Sequence, residues 1–163
     1  MPHNITALIL KGKYDKEIAN KYDLAGKDLG FNLTLFHVDH YYSAYWQFKL
    51  GLSGSLRTTN SCVIFPTEIV LAELMKKVAV YSNFEFAIIL TDYFGGIGSQ
   101  YASVYENEIL ASESITTINQ ALKFLGVPRK YDLDEFDTVG LVNIRSQPDI
   151  LDKYYALCEE HDL

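Results

Sequence analysis

Short apolar runs and amphipathic segments alternate through the first part of the chain. Residues 5–10 form a short, mostly apolar run closed by Lys11 and Gly12, a pattern typical of a buried strand. Residues 14–25 carry aromatic and aliphatic side chains at three- or four-residue spacing, which predicts an amphipathic helix ended by Gly26. A second strand-like run covers residues 33–38. The order strand, helix, strand predicts a βαβ unit with parallel strands and a right-handed crossover.

Residues 40–50 fit two patterns. Read with a period of two, most of their aromatic side chains fall on one face, which fits a strand. Asp39 is a favourable N-cap and Gly51 a favourable C-terminal stop, which fits a helix. We favour the helix because both boundary signals are present.

The remaining pattern predicts strands at residues 61–65, 84–93 and 100–106, and helices at residues 66–78, 114–125 and 148–160. The Gly-rich residues 94–99 connect two of these strands into an antiparallel hairpin. Ser114 is the predicted cap of its helix, and residues 132–141 hold one further helical turn. The predicted buried side of the last helix consists of Ile150, Leu151, Tyr154, Tyr155 and Leu157.

The fold class that follows is α/β or α+β, in one domain covering residues 1–163. We expect a central mixed sheet of about five strands with helices packed on it. The length of 163 residues is close to the commonest domain size. The hydrophobic content of 48% is that of an ordinary ordered protein.

The sequence also predicts a cellular location. The N-terminal residues lack the basic and long apolar regions of a signal peptide, and no apolar run approaches the roughly 20 residues that cross a bilayer. Cys62 and Cys158 lie far apart and read as free thiols. We therefore expect a soluble cytoplasmic protein that does not bind membranes.

Charge is distributed unevenly along the chain. Residues 104–163 carry five basic and twelve acidic residues, which equals the net charge of −7 of the whole chain. This excess of acidic residues argues against nucleic-acid binding, because the binding of phosphate groups requires a concentrated basic patch on the protein. It favours either solubility alone or a surface complementary to a basic protein.

The Gly-rich segment is the first candidate site. It lacks the spacing of a phosphate-binding loop, and a tight hairpin turn explains its glycines. Polar groups nevertheless surround a backbone that a ligand could approach closely. The candidate ligand-binding residues are Asp92, Tyr93, Gly95, Gly96, Gly98, Gln100 and Tyr101.

A second candidate is the cluster of His37, Asp39 and His40, whose side chains are of types that bind divalent metals. The chain would have to turn sharply for all three to reach one ion. The cluster is explained better if Asp39 caps a helix and the two histidines lie at the end of a strand than if the three residues bind a metal. The acidic residues 132–137 also fail the EF-hand pattern. We therefore predict neither a metal nor a cofactor.

Aromatic residues are concentrated between positions 41 and 48. An exposed subset of them would indicate a surface for a protein partner or for a second copy of the chain. Within the acidic residues 132–137, the aromatic side chain of Phe136 could serve as an apolar anchor for a partner. The candidate partner-binding residues are Tyr41, Tyr45, Trp46, Asp134, Phe136 and Asp137.

These observations favour a non-catalytic binding protein, of the inhibitor or immunity type, that recognises a basic protein through its acidic C-terminal third. No complete catalytic motif is present, so catalytic residues are not assigned. The alternative is a small-molecule-binding protein or enzyme that uses residues 94–100, with Asp92 as a base or ligand anchor.

Overall fold

The structure is a computed structural model that describes residues 2–58 and 65–163. Its strands are β1 His3–Lys11, β2 Lys27–Gly30, β3 Leu33–His37, β4 Glu85–Phe94, β5 Ile97–Glu106 and β6 Ile109–Leu110. Its α-helices are α1 Lys16–Lys21, α2 His40–Lys49, α3 Val70–Val78, α4 Ile118–Phe124, α5 Glu135–Thr138 and α6 Lys153–Glu160. Two 3₁₀ turns lie at Leu141–Asn143 and Asp149–Leu151.

The strands form one sheet in the order β2-β3-β1-β4-β5-β6, and every pairing in it is antiparallel. Helices pack on this sheet, which confirms the mixed helix-and-sheet class, with six described strands where about five were expected. Within the described residues, no helix is both long and apolar enough to cross a membrane.

The first three strands correct one prediction. β1 and β3 are neighbours but antiparallel, with Leu8 opposite Phe36, so the predicted parallel pair is not formed. The chain inserts β2 before β3, through a turn in which Phe31 and Asn32 have φ of 53° and 62°. Because β2 and β1 are each antiparallel to β3, they are parallel to each other. Helix α1 therefore does join two parallel strands, but β3 lies between them.

Side chains of the central strands alternate between two hydrophobic cores, one on each face of the sheet. Leu8 and Leu10 of β1 belong to the first core, which also contains residues of α1, α2, α3 and α6. Ala7 and Ile9 belong to the second core, which is covered by α4 and by the segment around α5. The sheet therefore separates the two groups of helices.

Residues 40–49 are helical, as we favoured. The Asp39 carboxylate accepts a hydrogen bond from the backbone N–H of Tyr42 at 2.8 Å and caps α2. Gly51 follows the helix with φ of 65°, a conformation that glycine adopts without a steric penalty. Both boundary signals therefore act as predicted.

Other helix boundaries differ from the prediction. α3 begins at Val70 rather than near residue 66. α4 is capped by Thr117, not Ser114, and the Thr117 hydroxyl accepts from the backbone N–H of Gln120 in a capping box. Ser114 instead shares a hydrogen bond with the hydroxyl of Ser112. Of the strand predicted at residues 61–65, only the last residue is described, and it lies outside any strand.

The buried side of the last helix is only partly as predicted. Leu151 and Tyr154 are buried, but Ile150 and Tyr155 are exposed. A 3₁₀ turn at Asp149–Leu151 precedes the helix, so the residues before α6 do not share its 3.6-residue period.

Replacing Thr117 with Ala should destabilise the protein by about 1 kcal/mol, because the substitution removes the capping box of α4. Urea unfolding followed by circular dichroism would measure this loss. Ser114→Ala is the matched control, and its effect should be clearly smaller. A larger loss from Ser114→Ala would show that the helix is capped where the sequence alone placed the cap.

Candidate functional site

Helices α2 and α6 pack side by side on the first core, and aromatic side chains fill the space between them. Tyr42 is fully buried, and its ring lies edge-on to that of Tyr154 at 4.9 Å. The indole Nε1 of Trp46 donates to the Tyr154 hydroxyl at 3.1 Å. The thiol of Cys158, which forms no disulfide, donates to the carbonyl of Tyr41 at 3.2 Å. These contacts fix α6 against α2.

The Tyr154 hydroxyl also connects α6 to the end of α1. It donates to the Asp23 carboxylate at 2.5 Å, and Lys153 Nζ lies 2.7 Å from the same oxygen. Burial, together with the hydrogen bond to Asp23, raises the pKa of Tyr154 well above its ordinary value. The phenol therefore stays protonated, and able to donate to Asp23, to a higher pH than an ordinary tyrosine does.

The outer side of this helix pair carries exposed aromatic rings. Tyr41, Phe48 and Tyr155 are between 44% and 51% exposed. The rings of Tyr41 and Tyr155 lie edge-on at 5.0 Å, and the ring of Phe48 lies 4.9 Å from that of His161. We call this surface, with the half-buried Tyr45, the aromatic face. Its members are Tyr41, Tyr45, Phe48, Tyr155 and His161.

The aromatic face lies in an acidic segment of the chain, and one carboxylate is in contact with it. A hydrogen bond and the negative charge of Glu159 raise the pKa of the exposed Tyr155, which places that carboxylate beside the ring. Residues 149–163 carry five acidic residues and one lysine, and the lysine is paired with Asp23. All five acidic side chains belong to exposed residues: Asp149, Asp152, Glu159, Glu160 and Asp162.

The predicted partner-binding residues fall into two separate groups. Tyr41 and Tyr45 lie on the aromatic face, whereas the Trp46 indole points its N–H inward to Tyr154. Asp134, Phe136 and Asp137 belong to the α5 segment on the opposite side of the sheet.

The α5 residues have roles within the fold. The Asp134 carboxylate accepts from the backbone N–H of Asp137 at 2.9 Å and from the side-chain amide of Asn119 at 3.0 Å. The half-buried Phe136 ring packs on the second core and lies 5.4 Å from the His3 ring. The acidic last third is thus divided between both sides of the sheet.

The Gly-rich residues form the tip of the β4–β5 hairpin. Gly95 and Gly96 make its two-residue turn with φ of 61° and 79°, values that favour glycine. A Cβ on Gly98 would lie 1.9 Å from the carbonyl oxygen of Asp92 in the paired strand. The hairpin alone therefore requires all three glycines.

The polar residues of that candidate site do not converge. Gln100 accepts from the backbone N–H of Ile118 at 3.0 Å and donates to the Tyr93 hydroxyl at 3.4 Å, so it links the hairpin to α4. Tyr101 is buried in the first core beside Phe65, and Asp92 is exposed. Four cavities between described residues are lined by other side chains.

The side chains of the predicted cluster of His37, Asp39 and His40 do not converge on one site either. His37 Nδ1 lies 2.8 Å from Gln147 Oε1, while Asp39 caps α2. Among residues 2–58 and 65–163, no three His, Cys, Asp or Glu side chains are grouped to hold a metal ion. The Gln147 amide donates to the Val38 carbonyl at 2.6 Å, so its oxygen is the acceptor for His37. The proton of the neutral imidazole is therefore on Nδ1.

His37 lines a cavity of about 350 Å³ together with Asp23, Lys27 and Ile150. Burial lowers the pKa of His37 from its ordinary 6.5, and the charge of Lys27 lowers it further, while the Gln147 hydrogen bond opposes this shift. The sequence pointed to His37 as a candidate site residue. It did not point to its hydrogen-bond partner Gln147, which lies 110 residues later in the chain.

Sequence reasoning missed Phe48 and Tyr155 as surface residues. The signal for Phe48 was present, because positions 41, 45 and 48 share one face of a helix.

No protein-family model, curated protein or solved structure matches the chain. Its function must therefore be argued from this geometry.

The lowered pKa of His37 predicts a pH dependence of stability. The folded state binds a proton at His37 less readily than the unfolded chain, so stability is complete above the unfolded pKa near 6.5 and is lost as pH falls through the folded pKa. His37→Asn should therefore flatten the decrease in unfolding free energy between about pH 7 and pH 5.

Urea unfolding at several pH values would measure this slope. His161→Asn controls for the loss of a histidine as such, since this exposed imidazole lies beside the rings of Tyr45 and Phe48 on the aromatic face. An unchanged slope in His37→Asn would contradict the conclusion that the pKa of His37 is lowered in the folded protein.

Proposed function

We propose that this chain is a non-catalytic binding protein that holds a basic partner protein on the aromatic face, in the manner of an inhibitor or immunity-type protein. One observation carries the proposal: exposed aromatic rings are grouped on a tightly held helix pair, with the Glu159 carboxylate beside them and further exposed acidic residues in the same C-terminal segment.

The aromatic side chains supply binding energy. Tyr and Trp dominate the energetic centres of protein interfaces because they bury a large area with few rotatable bonds. Tyr41 and Tyr155 are about half exposed in the isolated chain, so contact with a partner would remove further apolar area from water. Their hydroxyl groups would remain able to bond at the rim of the contact.

The carboxylates select the class of partner by charge. Residues 149–163 present five exposed acidic residues, and their single lysine is already paired with Asp23. A negatively charged segment of this kind accelerates association with a positively charged surface and rejects acidic proteins. A basic partner is therefore the class that fits.

The packing beneath the face lowers the entropic cost of binding. Trp46, Tyr154 and Asp23 form a chain of hydrogen bonds from α2 through α6 to the end of α1. A surface held in this way loses little conformational freedom when a partner docks.

The alternative, a small-molecule or catalytic site at residues 94–100, receives less support. The glycines there are required by the hairpin, and Gln100 is engaged with α4 and Tyr93. The α5 residues Asp134, Phe136 and Asp137 are not part of the proposed surface, because they lie across the sheet from it.

Tyr155→Ala should weaken the complex with the basic partner at least about tenfold, because a central aromatic contact is lost. The partner would be recovered on the immobilised chain from native cell extract and then titrated as purified protein by calorimetry. Raising the salt concentration should weaken the wild-type complex as well.

Tyr131→Ala is the matched control, since Tyr131 is 94% exposed in the turn that precedes α5. This variant should bind like the wild-type chain. Equal losses in both variants, or recovery of only acidic proteins, would contradict the proposal.

A further inference from the structure

The imidazole of His37 is held in one orientation at the end of β3. The side-chain amide of Gln147 donates to the carbonyl of Val38 at 2.6 Å, which fixes the direction of the Gln147 oxygen. That oxygen accepts from His37 Nδ1 at 2.8 Å and from the backbone N–H of Thr6 at 3.3 Å. The ring therefore directs its Nδ1–H at Gln147 and the lone pair of its Nε2 away from it.

The Nε2 atom of His37 is open to a ligand. The residue is half-buried, and within residues 2–58 and 65–163 only its Nδ1 is hydrogen-bonded. Nε2 is not enclosed either, since no side-chain atom of His37 is both buried and unpaired. A neutral imidazole with its proton on Nδ1 presents Nε2 as a hydrogen-bond acceptor. A bound molecule would have to supply the donor.

His37 faces the cavity of about 350 Å³ that lies between the end of α1, the β2–β3 pair and the segment before α6. Ligand pockets span about 300–1,000 Å³, so this cavity is of the smaller kind. Ala25, Pro148 and Ile150 supply apolar parts of its wall. Ile150 is 42% exposed, and a molecule in the cavity would cover it. The size suits a small organic molecule rather than a macromolecule.

Lys27 places a positive charge beside the same cavity. It lies opposite Leu35 in the β2–β3 pair, and His37 is two residues further along β3, so all three side chains leave one face of the sheet. Diagonal neighbours of this kind lie roughly 7–8 Å apart. Burial and the charge of Lys27 both lower the pKa of His37, and the second cause requires the ammonium to lie near the ring. One small molecule can therefore contact both groups.

The charge of Lys27 is not neutralised by its neighbours. Within the described part of the chain Lys27 forms no ion pair. The adjacent Asp28 points to the other face of β2, and its carboxylate accepts from the backbone N–H of Gly30 at 2.8 Å. Asp23 also lines the cavity but is already paired with Lys153 at 2.7 Å. A ligand thus meets an unpaired cation and an oriented acceptor.

We propose that this cavity binds a small hydroxy acid, with its carboxylate on Lys27, its hydroxyl donating to Nε2 of His37 and a short apolar chain covering Ile150. Hydrogen bonds between charged groups are the strong ones, so the carboxylate supplies affinity, while the acceptor on His37 selects for the hydroxyl. An amino acid fits less well, because its ammonium would lie beside Lys27. This site is separate from the aromatic face and requires no partner protein.

A titration of the nitrogen-labelled chain with the hydroxy-acid analogue of leucine, followed by nuclear magnetic resonance, tests the proposal. Binding should saturate, and the Nε2 resonance of His37 should move, because this nitrogen becomes a hydrogen-bond acceptor. Isocaproate, the same acid without the hydroxyl, should bind at least about tenfold more weakly. Leucine should also bind more weakly than the hydroxy acid.

Lys27→Gln should weaken binding of the hydroxy acid at least about tenfold, because the charge that pairs with its carboxylate is lost. Lys21→Gln is the matched control, since Lys21 is an exposed lysine at the end of α1 that does not line the cavity, and it should bind like wild type. Absence of saturable binding by the wild-type chain overturns the proposal. So does binding of isocaproate or leucine as tight as that of the hydroxy acid, or an equal loss in both variants.

Discussion

The burial of β1 and β4 on both faces is the constraint on which the rest of the structure depends. Residues 7–10 and 86–89 are fully buried, so apolar side chains emerge on both sides of the sheet and each side requires its own helices. α1, α2, α3 and α6 cover one core, and the α4–α5 region covers the other. The same constraint assigns the aromatic residues and the acidic α5 turn to opposite sides.

A single phenol links the core to the proposed binding surface. The Tyr154 ring is buried with Tyr42, while its hydroxyl receives the Trp46 N–H and donates to Asp23. α6 is short, and an isolated helix of this length is unstable in water, so these contacts hold it in place. The exposed rings of Tyr41 and Tyr155 are therefore presented by packing rather than by helix propensity.

Local patterns predicted much of the fold and less of the site. Apolar runs identified β1, β3 and β4, and the Asp39 and Gly51 signals identified α2. The direction of β3 was wrong because strand pairing is non-local and because β2, with Lys27 and Asp28, has no apolar run to reveal it. Thr117 and Ser114 are both ordinary cap residues, so only the structure distinguishes them. Gln147 could not be connected to His37 by any local pattern.

Amide hydrogen exchange of the chain, free and bound to its purified basic partner, tests the proposed function most directly. The account predicts that binding slows exchange in α2 and α6 and in the loop that precedes α6, and leaves the amides of α5 unchanged. Protection confined to residues 132–137 or to the β4–β5 hairpin tip would contradict it and would place the partner on another surface.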